Sequence, residues 1–117
     1  FDRPHIALGG FSQGACLALE IAATSGLPLG AVLGLSGGLI GPPGQLPVYE
    51  GDLDKTPVFL GCSAKDPHIP KERVEETATI FDSIGGRTKM YIHPEPGHTI
   101  TNEEITHARH VLTDVNA

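Results

Sequence analysis

Residues 5–25, HIALGGFSQGACLALEIAATS, determine the expected fold. The short apolar run 5–9 follows a proline and closes in glycine, as a buried strand does. Residues 13–25 follow almost at once; they are rich in Ala and Leu, and Glu20 is their only charge. Gly26 then ends a helix that we expect to be covered on most sides. An apolar strand that passes within four residues into an apolar helix predicts an α/β fold.

The rest of the chain repeats this alternation. Further strands are expected at three apolar runs, residues 30–36, 57–62 and 88–93. Helices are expected from Pro70 to about residue 84, and from Thr101 or Asn102 onward, with a long loop over residues 39–56. The order β-α-β-loop-β-α-β-α predicts one domain, residues 1–117, with a parallel sheet of about four strands.

The junction at residues 10–14, Gly-Phe-Ser-Gln-Gly, matches the G-x-S-x-G pattern of a nucleophile elbow. Strand and helix nearly touch in such a turn, so we expect any side chain at Gly10 or Gly14 to clash. Ser12 is expected to have a strained backbone and to project its Oγ beyond the strand. Gln13 then starts the helix, and its N–H could donate to a developing oxyanion.

A serine nucleophile needs a base, and the base needs an orienting acid. Asp66 follows the third predicted strand and His98 follows the fourth, so both belong to the sheet edge where Ser12 is expected. The chain order Ser, Asp, His is that of the α/β hydrolases. We therefore expect His98 to take the Ser12 proton and Asp66 to hold the imidazole.

Other candidates fit these roles less well. Three acids precede the third strand or lie within a helix, namely Asp52, Asp54 and Asp82. His5 and His93 belong to strands and are expected to be packed or at the surface. His68 shares a loop with Asp66 and is expected to line the substrate pocket, with Phe11 and Ile69. One further set has the helical spacing of metal ligands, but is expected to be a solvated face without a metal: Glu103, His107 and His110.

Composition excludes several partners. Eight basic against fourteen acidic residues give a net charge of −6, which argues against a nucleic-acid module. No apolar run approaches the roughly 18 residues of a membrane span. Cys16 and Cys62 are too few for a disulfide framework, so we expect free thiols in a reducing compartment, the cytoplasm.

Three segments carry a resemblance to a known family: GFSQG at 10–14, KDPHIP at 65–70 and PGH at 96–98. With them the chain resembles, over essentially all 117 residues, the bacterial phospholipase/carboxylesterase family, the acyl-protein-thioesterase-like branch of the α/β hydrolases. LSGGL at 35–39 is also typical of the bacterial members.

The resemblance implies an α/β-hydrolase fold with Ser12 as nucleophile, Asp66 as acid and His98 as base. It implies a small ester or thioester substrate, and no cofactor or metal. The family's domain is longer at its N-terminus, where further strands and a His-Gly loop supply a second oxyanion donor. We therefore expect a C-terminal portion of a longer chain.

In that portion the strand at 5–9 would be an open edge, through which a homodimer or other association could form. The alternative to an esterase is a non-catalytic remnant with an incomplete oxyanion hole, acting as an interaction module.

Overall fold

The computed structural model describes residues 6–41, 46, 48–96 and 100–115. Within them the element order matches the expectation: β1 (Ala7–Phe11), α1 (Gln13–Ser25), β2 (Ala31–Leu35), β3 (Pro57–Lys65), α2 (Lys71–Ser83), β4 (Arg87–Pro96) and α3 (Asn102–Val115). The four strands form one sheet in the order β1-β2-β3-β4, and every neighbouring pair is parallel. All four carboxyl ends therefore lie at the same edge of the sheet.

The strand boundaries differ from the expected ones at two places. β1 lies two residues further along than 5–9, so it runs directly into the turn at Ser12. β3 continues three residues beyond the expected end at 62, because it pairs with the long strand β4 across an irregularity between Ser63 and Lys65. This extension brings the end of β3 next to Asp66.

β1 is an edge strand among the described residues. It pairs with β2 from Ala7–Ala31 to Phe11–Leu35 and with no other described strand. Its residues are exposed or half-buried throughout, whereas most of β3 is buried. The expected open edge at the first strand is therefore present in the described part of the chain.

Helices α1 and α2 cover one face of the sheet and share its core cluster with β2 and β3. Its buried members are Leu19, Ala22, Ala23, Val32, Leu39, Leu53, Val58, Leu60, Cys62, Val74, Phe81 and Ile84. α1 lies close to β2, since a Cβ added at Gly34 would come within 2.8 Å of Leu19 Cδ1. Burial is one-sided on α1: Leu17 is 60% exposed and Ile21 49%. α1 is thus not covered on most sides in the described chain, which agrees with the expectation that this helix lacks neighbours in a C-terminal portion of a longer domain.

The described parts of the 39–56 loop contain no helix or strand, as expected. Side chains of α1 and α2 form hydrogen bonds to them. Glu20 Oε1 accepts the Ile40 N–H at 2.9 Å and the Tyr49 hydroxyl at 2.8 Å. On the other side, Leu39 donates its N–H to Thr77 Oγ1, and its carbonyl accepts from Arg73. Burial, followed by the hydrogen bond to Glu20, raises the pKa of Tyr49 to about 12.

Candidate active site

Ser12 occupies a sharp turn between β1 and α1. Its backbone angles are φ 58° and ψ −119°, those of the first central residue of a type II′ turn, a position that favours glycine. A serine held there costs about 1–3 kcal/mol, and the surrounding hydrogen bonds must hold it. Its N–H donates to Leu35 O at 2.8 Å, and its carbonyl accepts from Cys16 N–H at 3.0 Å. The strained turn expected of an elbow is therefore present.

The two glycines of the motif have different surroundings. A Cβ added at Gly10 would collide with the backbone C and O of Gly14 and lie 2.7 Å from Ala15 N. A Cβ added at Gly14 would meet no described atom within 4 Å. The expected clash is confirmed at Gly10 and wrong at Gly14. The reason is that the Gly14 backbone forms the wall that Gly10 faces, while the Gly14 Cβ position is open.

Gln13 is the first residue of α1, directly after Ser12. The first N–H groups of a helix lack partners within the helix and carry its partial positive charge. The first turn of α1 contains no acidic residue that would neutralise this charge. An anion forming beside Ser12 would therefore meet a favourable field from α1.

Asp66 directly follows β3 and is half-buried. Its Oδ1 accepts the backbone N–H of His68 at 2.7 Å and that of Ile69 at 3.2 Å, an Asx turn that shapes the loop. One strand, β2, separates the strands that precede Asp66 and Ser12, so two strand spacings, about 10 Å, lie between them.

The structure thus brings Ser12 and Asp66 to the same sheet edge. His98, the expected base, lies outside the described residues, as does His5. His98 belongs to the connection between β4 and α3, two elements whose described parts pack beside β3.

The three expected pocket residues are partly or fully accessible. Phe11 is 38% exposed and precedes Ser12. His68 is exposed in the Asp66 loop. Ile69 is half-buried and packs against the core cluster, so its side chain also serves the fold.

The rival acids stand apart from this edge. Asp52 and Asp54 form an exposed turn before β3, at the opposite end of the sheet, where Asp52 Oδ1 accepts the Asp54 N–H at 2.8 Å. Asp82 is exposed near the end of α2.

His93 is packed, as expected, and it faces α3. It is 2% exposed, and its Nε2 lies 3.2 Å from Oε1 of Glu104. His93 lies within β4 itself, with its side chain buried against α3, whereas Ser12 and Asp66 lie just beyond the carboxyl ends of their strands.

The expected solvated face of α3 is only partly correct. Glu103 and His110 are exposed. The ring of His107 is packed, because its centroid lies 5.6 Å from that of the stacked Phe59 ring and 5.0 Å from that of the Tyr91 ring. His107 packs there because α3 covers the face of the sheet opposite α1 and α2. No group of three or more potential metal ligands occurs in the part of the chain that the structure describes.

Sequence reasoning missed the buried carboxylate of Glu104. It is fully buried on the sheet-facing side of α3, although Glu is rarely buried. The pattern Thr101-x-x-Glu104 is that of a capping box at the start of a helix, but it gives no sign that the carboxylate is buried.

Both thiols are free, and they differ in burial. Cys16 is half-buried on α1, and Cys62 is buried in β3. Burial, followed by the charge of Glu104, raises the pKa of Cys62 to about 11. None of the described helices has the length and apolar character needed to cross a membrane.

Known proteins similar to this chain include acyl-protein thioesterases. Acyl-protein thioesterase 1 of Debaryomyces hansenii is 30% identical over 113 residues, which cover 94% of this chain and 48% of that protein. Its counterpart in Gibberella zeae is 33% identical over 108 residues, covering 86% of this chain and 44% of that protein. The chain therefore spans about half the length of these relatives.

Solved structures match the whole chain. A phospholipase/carboxylesterase from Dyadobacter fermentans superposes with a TM-score of 0.87 at 34% identity, covering 100% of this chain and 55% of that one. The Bacillus cereus carboxylesterase superposes with a TM-score of 0.78 at 22% identity over 98% of this chain and 52% of that one, a likeness of fold alone. The expected α/β-hydrolase fold is thus confirmed, as a partial domain. The phospholipase/carboxylesterase family matches residues 1–116, and the chain belongs to that family.

Proposed function

We propose that this chain carries the catalytic residues of a serine carboxylic-ester hydrolase, with Ser12 as the nucleophile. The single observation that carries the proposal is the backbone of Ser12, held at φ 58° between β1 and the N-terminus of α1. Strain of this kind is retained where function requires it.

In the proposed reaction His98 takes the Ser12 proton while Oγ attacks the substrate carbonyl carbon. The carbonyl oxygen becomes an oxyanion beside the Gln13 N–H. The tetrahedral intermediate collapses, the bond to the alcohol or thiol breaks, and His98 returns the proton to that leaving group. Water, deprotonated by His98, then attacks the acyl carbon; the bond from that carbon to Ser12 Oγ breaks, the carboxylic acid leaves, and His98 returns the proton to Oγ. Asp66 orients the imidazole and stabilises its charged form.

The substrate class is a carboxylic ester or thioester. Two relatives are named as thioesterases and one similar structure, at 34% identity, as a phospholipase/carboxylesterase, which supports hydrolysis at an acyl carbonyl. Free thiols at Cys16 and Cys62 support action in a reducing compartment such as the cytoplasm.

A second candidate function is that of a non-catalytic interaction module. The open edge of β1 and the exposed apolar side chains of Leu17 and Ile21 favour it, because both can take a partner. A module of this kind binds without turnover, so kinetics distinguish the two candidates.

The test is hydrolysis of p-nitrophenyl butyrate by the complete protein. Ser12→Ala is expected to lower kcat by about 10⁴-fold or more, because the nucleophile and base act as a unit. Ser83→Ala, an exposed serine at the end of α2, is the matched control and is expected to retain the wild-type rate. Equal rates in wild type and Ser12→Ala would reject the proposed site, and no turnover by the wild type would favour the interaction module.

A further inference from the structure

Glu104 joins the start of α3 to the end of β4. Its Oε1 accepts the backbone N–H of Thr101 at 3.0 Å, and its own N–H donates to Thr101 Oγ1 at 3.2 Å. These two bonds form a capping box. The same Oε1 lies 3.2 Å from Nε2 of His93 on β4. We call His93, Thr101 and Glu104 the β4–α3 clamp.

A capping box does not require burial, because a Glu or Gln at the surface closes it equally well. Here the carboxylate is fully buried, and its Oε2 packs so tightly on Gly61 that a Cβ at Gly61 would collide with it. Oε2 and both ring nitrogens of His93 lack hydrogen-bond geometry with any described group. Such burial is costly, so the arrangement calls for a reason other than helix capping.

The place of the clamp in the chain supplies that reason. His93 lies near the end of β4, and Thr101 immediately precedes α3, so the clamp holds both ends of the connection that contains residue 98. Through Gly61 the carboxylate also contacts β3, which leads into Asp66. The buried carboxylate of Glu104 therefore contacts β3, which precedes the candidate acid Asp66. It also joins β4 to α3, the two elements that flank the candidate base His98 in the chain.

We propose that Glu104 is a positioning residue for His98, a role that rests on the proposed function. Its contacts fix β4 relative to the first turn of α3, the two elements between which residue 98 lies in the chain. Catalysis is sensitive to such placement, since a shift of about 1 Å can cost roughly 100-fold in rate.

The experiment compares Glu104→Ala, Glu104→Gln and the exposed neighbour Glu103→Ala in the complete protein. The concentration of competent sites is first titrated by the final extent of labelling with a fluorophosphonate probe, and kcat and KM for p-nitrophenyl butyrate are then expressed per labelled site. This normalisation removes losses that arise only from unfolded protein. The Gln variant keeps an oxygen for the Thr101 N–H, and the Ala variant does not.

We expect Glu104→Ala to lower kcat per labelled site by about 10–100-fold with little change in KM. Glu104→Gln should retain at least a third of the wild-type kcat, and Glu103→Ala should match the wild type. If Glu104→Ala fails to fold, Thr101→Val removes the Oγ1 acceptor isosterically, and a several-fold loss of kcat is expected.

An unchanged kcat per labelled site in these clamp variants would overturn the positioning role. So would an effect confined to KM, or an equal loss in Glu104→Gln and Glu104→Ala. A wild-type protein that neither labels nor turns over would overturn the proposed function, and the positioning role with it. Activity of the wild type therefore tests the proposed function. The kcat per labelled site of the clamp variants, compared with that of an active wild type, tests the positioning role separately.

Discussion

Replacing Gly10 by alanine tests whether the close approach of β1 and α1 forms the elbow. The new Cβ would meet the Gly14 carbonyl group and Ala15 N, all of them backbone atoms. A backbone wall cannot rotate away as a side chain can, so the turn itself must move. Overpacking of this kind costs about 1–3 kcal/mol, and we expect the upper end.

Alanine also has a favourable effect that offsets part of this cost. Glycine within a strand is destabilising by roughly 0.5–1 kcal/mol relative to alanine. The net loss of unfolding free energy for Gly10→Ala is therefore about 2 kcal/mol. For a complete domain of about twice this length, as in the relatives, that corresponds to a fall in Tm of roughly 4–8 °C.

Two other glycines provide the matched series. A Cβ at Gly9 would lie 3.2 Å from Leu33 Cβ, so Gly9→Ala should cost less than Gly10→Ala. Gly14→Ala meets no described atom and replaces glycine within a helix, so it should be neutral or stabilising by up to about 1 kcal/mol.

The assay is urea and thermal unfolding followed by circular dichroism, together with the rate of Ser12 labelling by a fluorophosphonate. Gly10→Ala should lower both the stability and the labelling rate. A Gly10→Ala protein as stable and as reactive as the wild type, or a Gly14→Ala protein more damaged than Gly10→Ala, would refute the one-sided crowding of the elbow.

Three further predictions concern the loops and the sheet edge. Asp66→Asn keeps the Oδ1 that accepts the two loop N–H groups but removes the negative charge. The circular dichroism spectrum should therefore stay that of the wild type while kcat falls by about 10⁴-fold. A wild-type kcat in this variant would contradict the assignment of Asp66 as the acid. Because the folded-state pKa of Tyr49 is raised from 10.0 to about 12, its contribution to stability is full below pH 10 and lost as pH rises through 12. The unfolding free energy of the wild type should therefore fall over that range relative to Tyr49→Phe, and parallel curves would count against the partly buried Glu20–Tyr49 bond. The 117-residue chain alone should self-associate through the open edge of β1. Ala7→Lys places a charge at an exposed position of that edge and should lower the apparent mass measured by light scattering. An unchanged mass would exclude β1 as the site of association.

Local pattern was enough to predict the element order and the turn at Ser12. Apolar runs closed by glycine located the strands, and α1 spans the expected residues 13–25. The carboxyl-end rule for parallel sheets then placed Ser12 and Asp66 at one edge, because it depends only on topology.

Features that depend on tertiary contacts escaped prediction. The G-x-S-x-G pattern predicted that a side chain would clash at both Gly10 and Gly14. Only the Cβ position of Gly10 meets backbone atoms, because the orientation of α1 on β1 decides which glycine is crowded. His107 had the spacing of an exposed face, yet α3 packs it against Phe59. Glu104 was recognised only as a first-turn acid, since burial of a carboxylate needs the neighbouring strands to be placed.

Whether Ser12 is the nucleophile that becomes acylated is tested most directly by locating the site of covalent modification. The complete protein is treated with a fluorophosphonate probe, digested, and analysed by tandem mass spectrometry. We expect one adduct per molecule, on Ser12, and no adduct in Ser12→Ala. An adduct on another residue, or labelling that persists in Ser12→Ala, would contradict the assignment of this turn as the catalytic elbow.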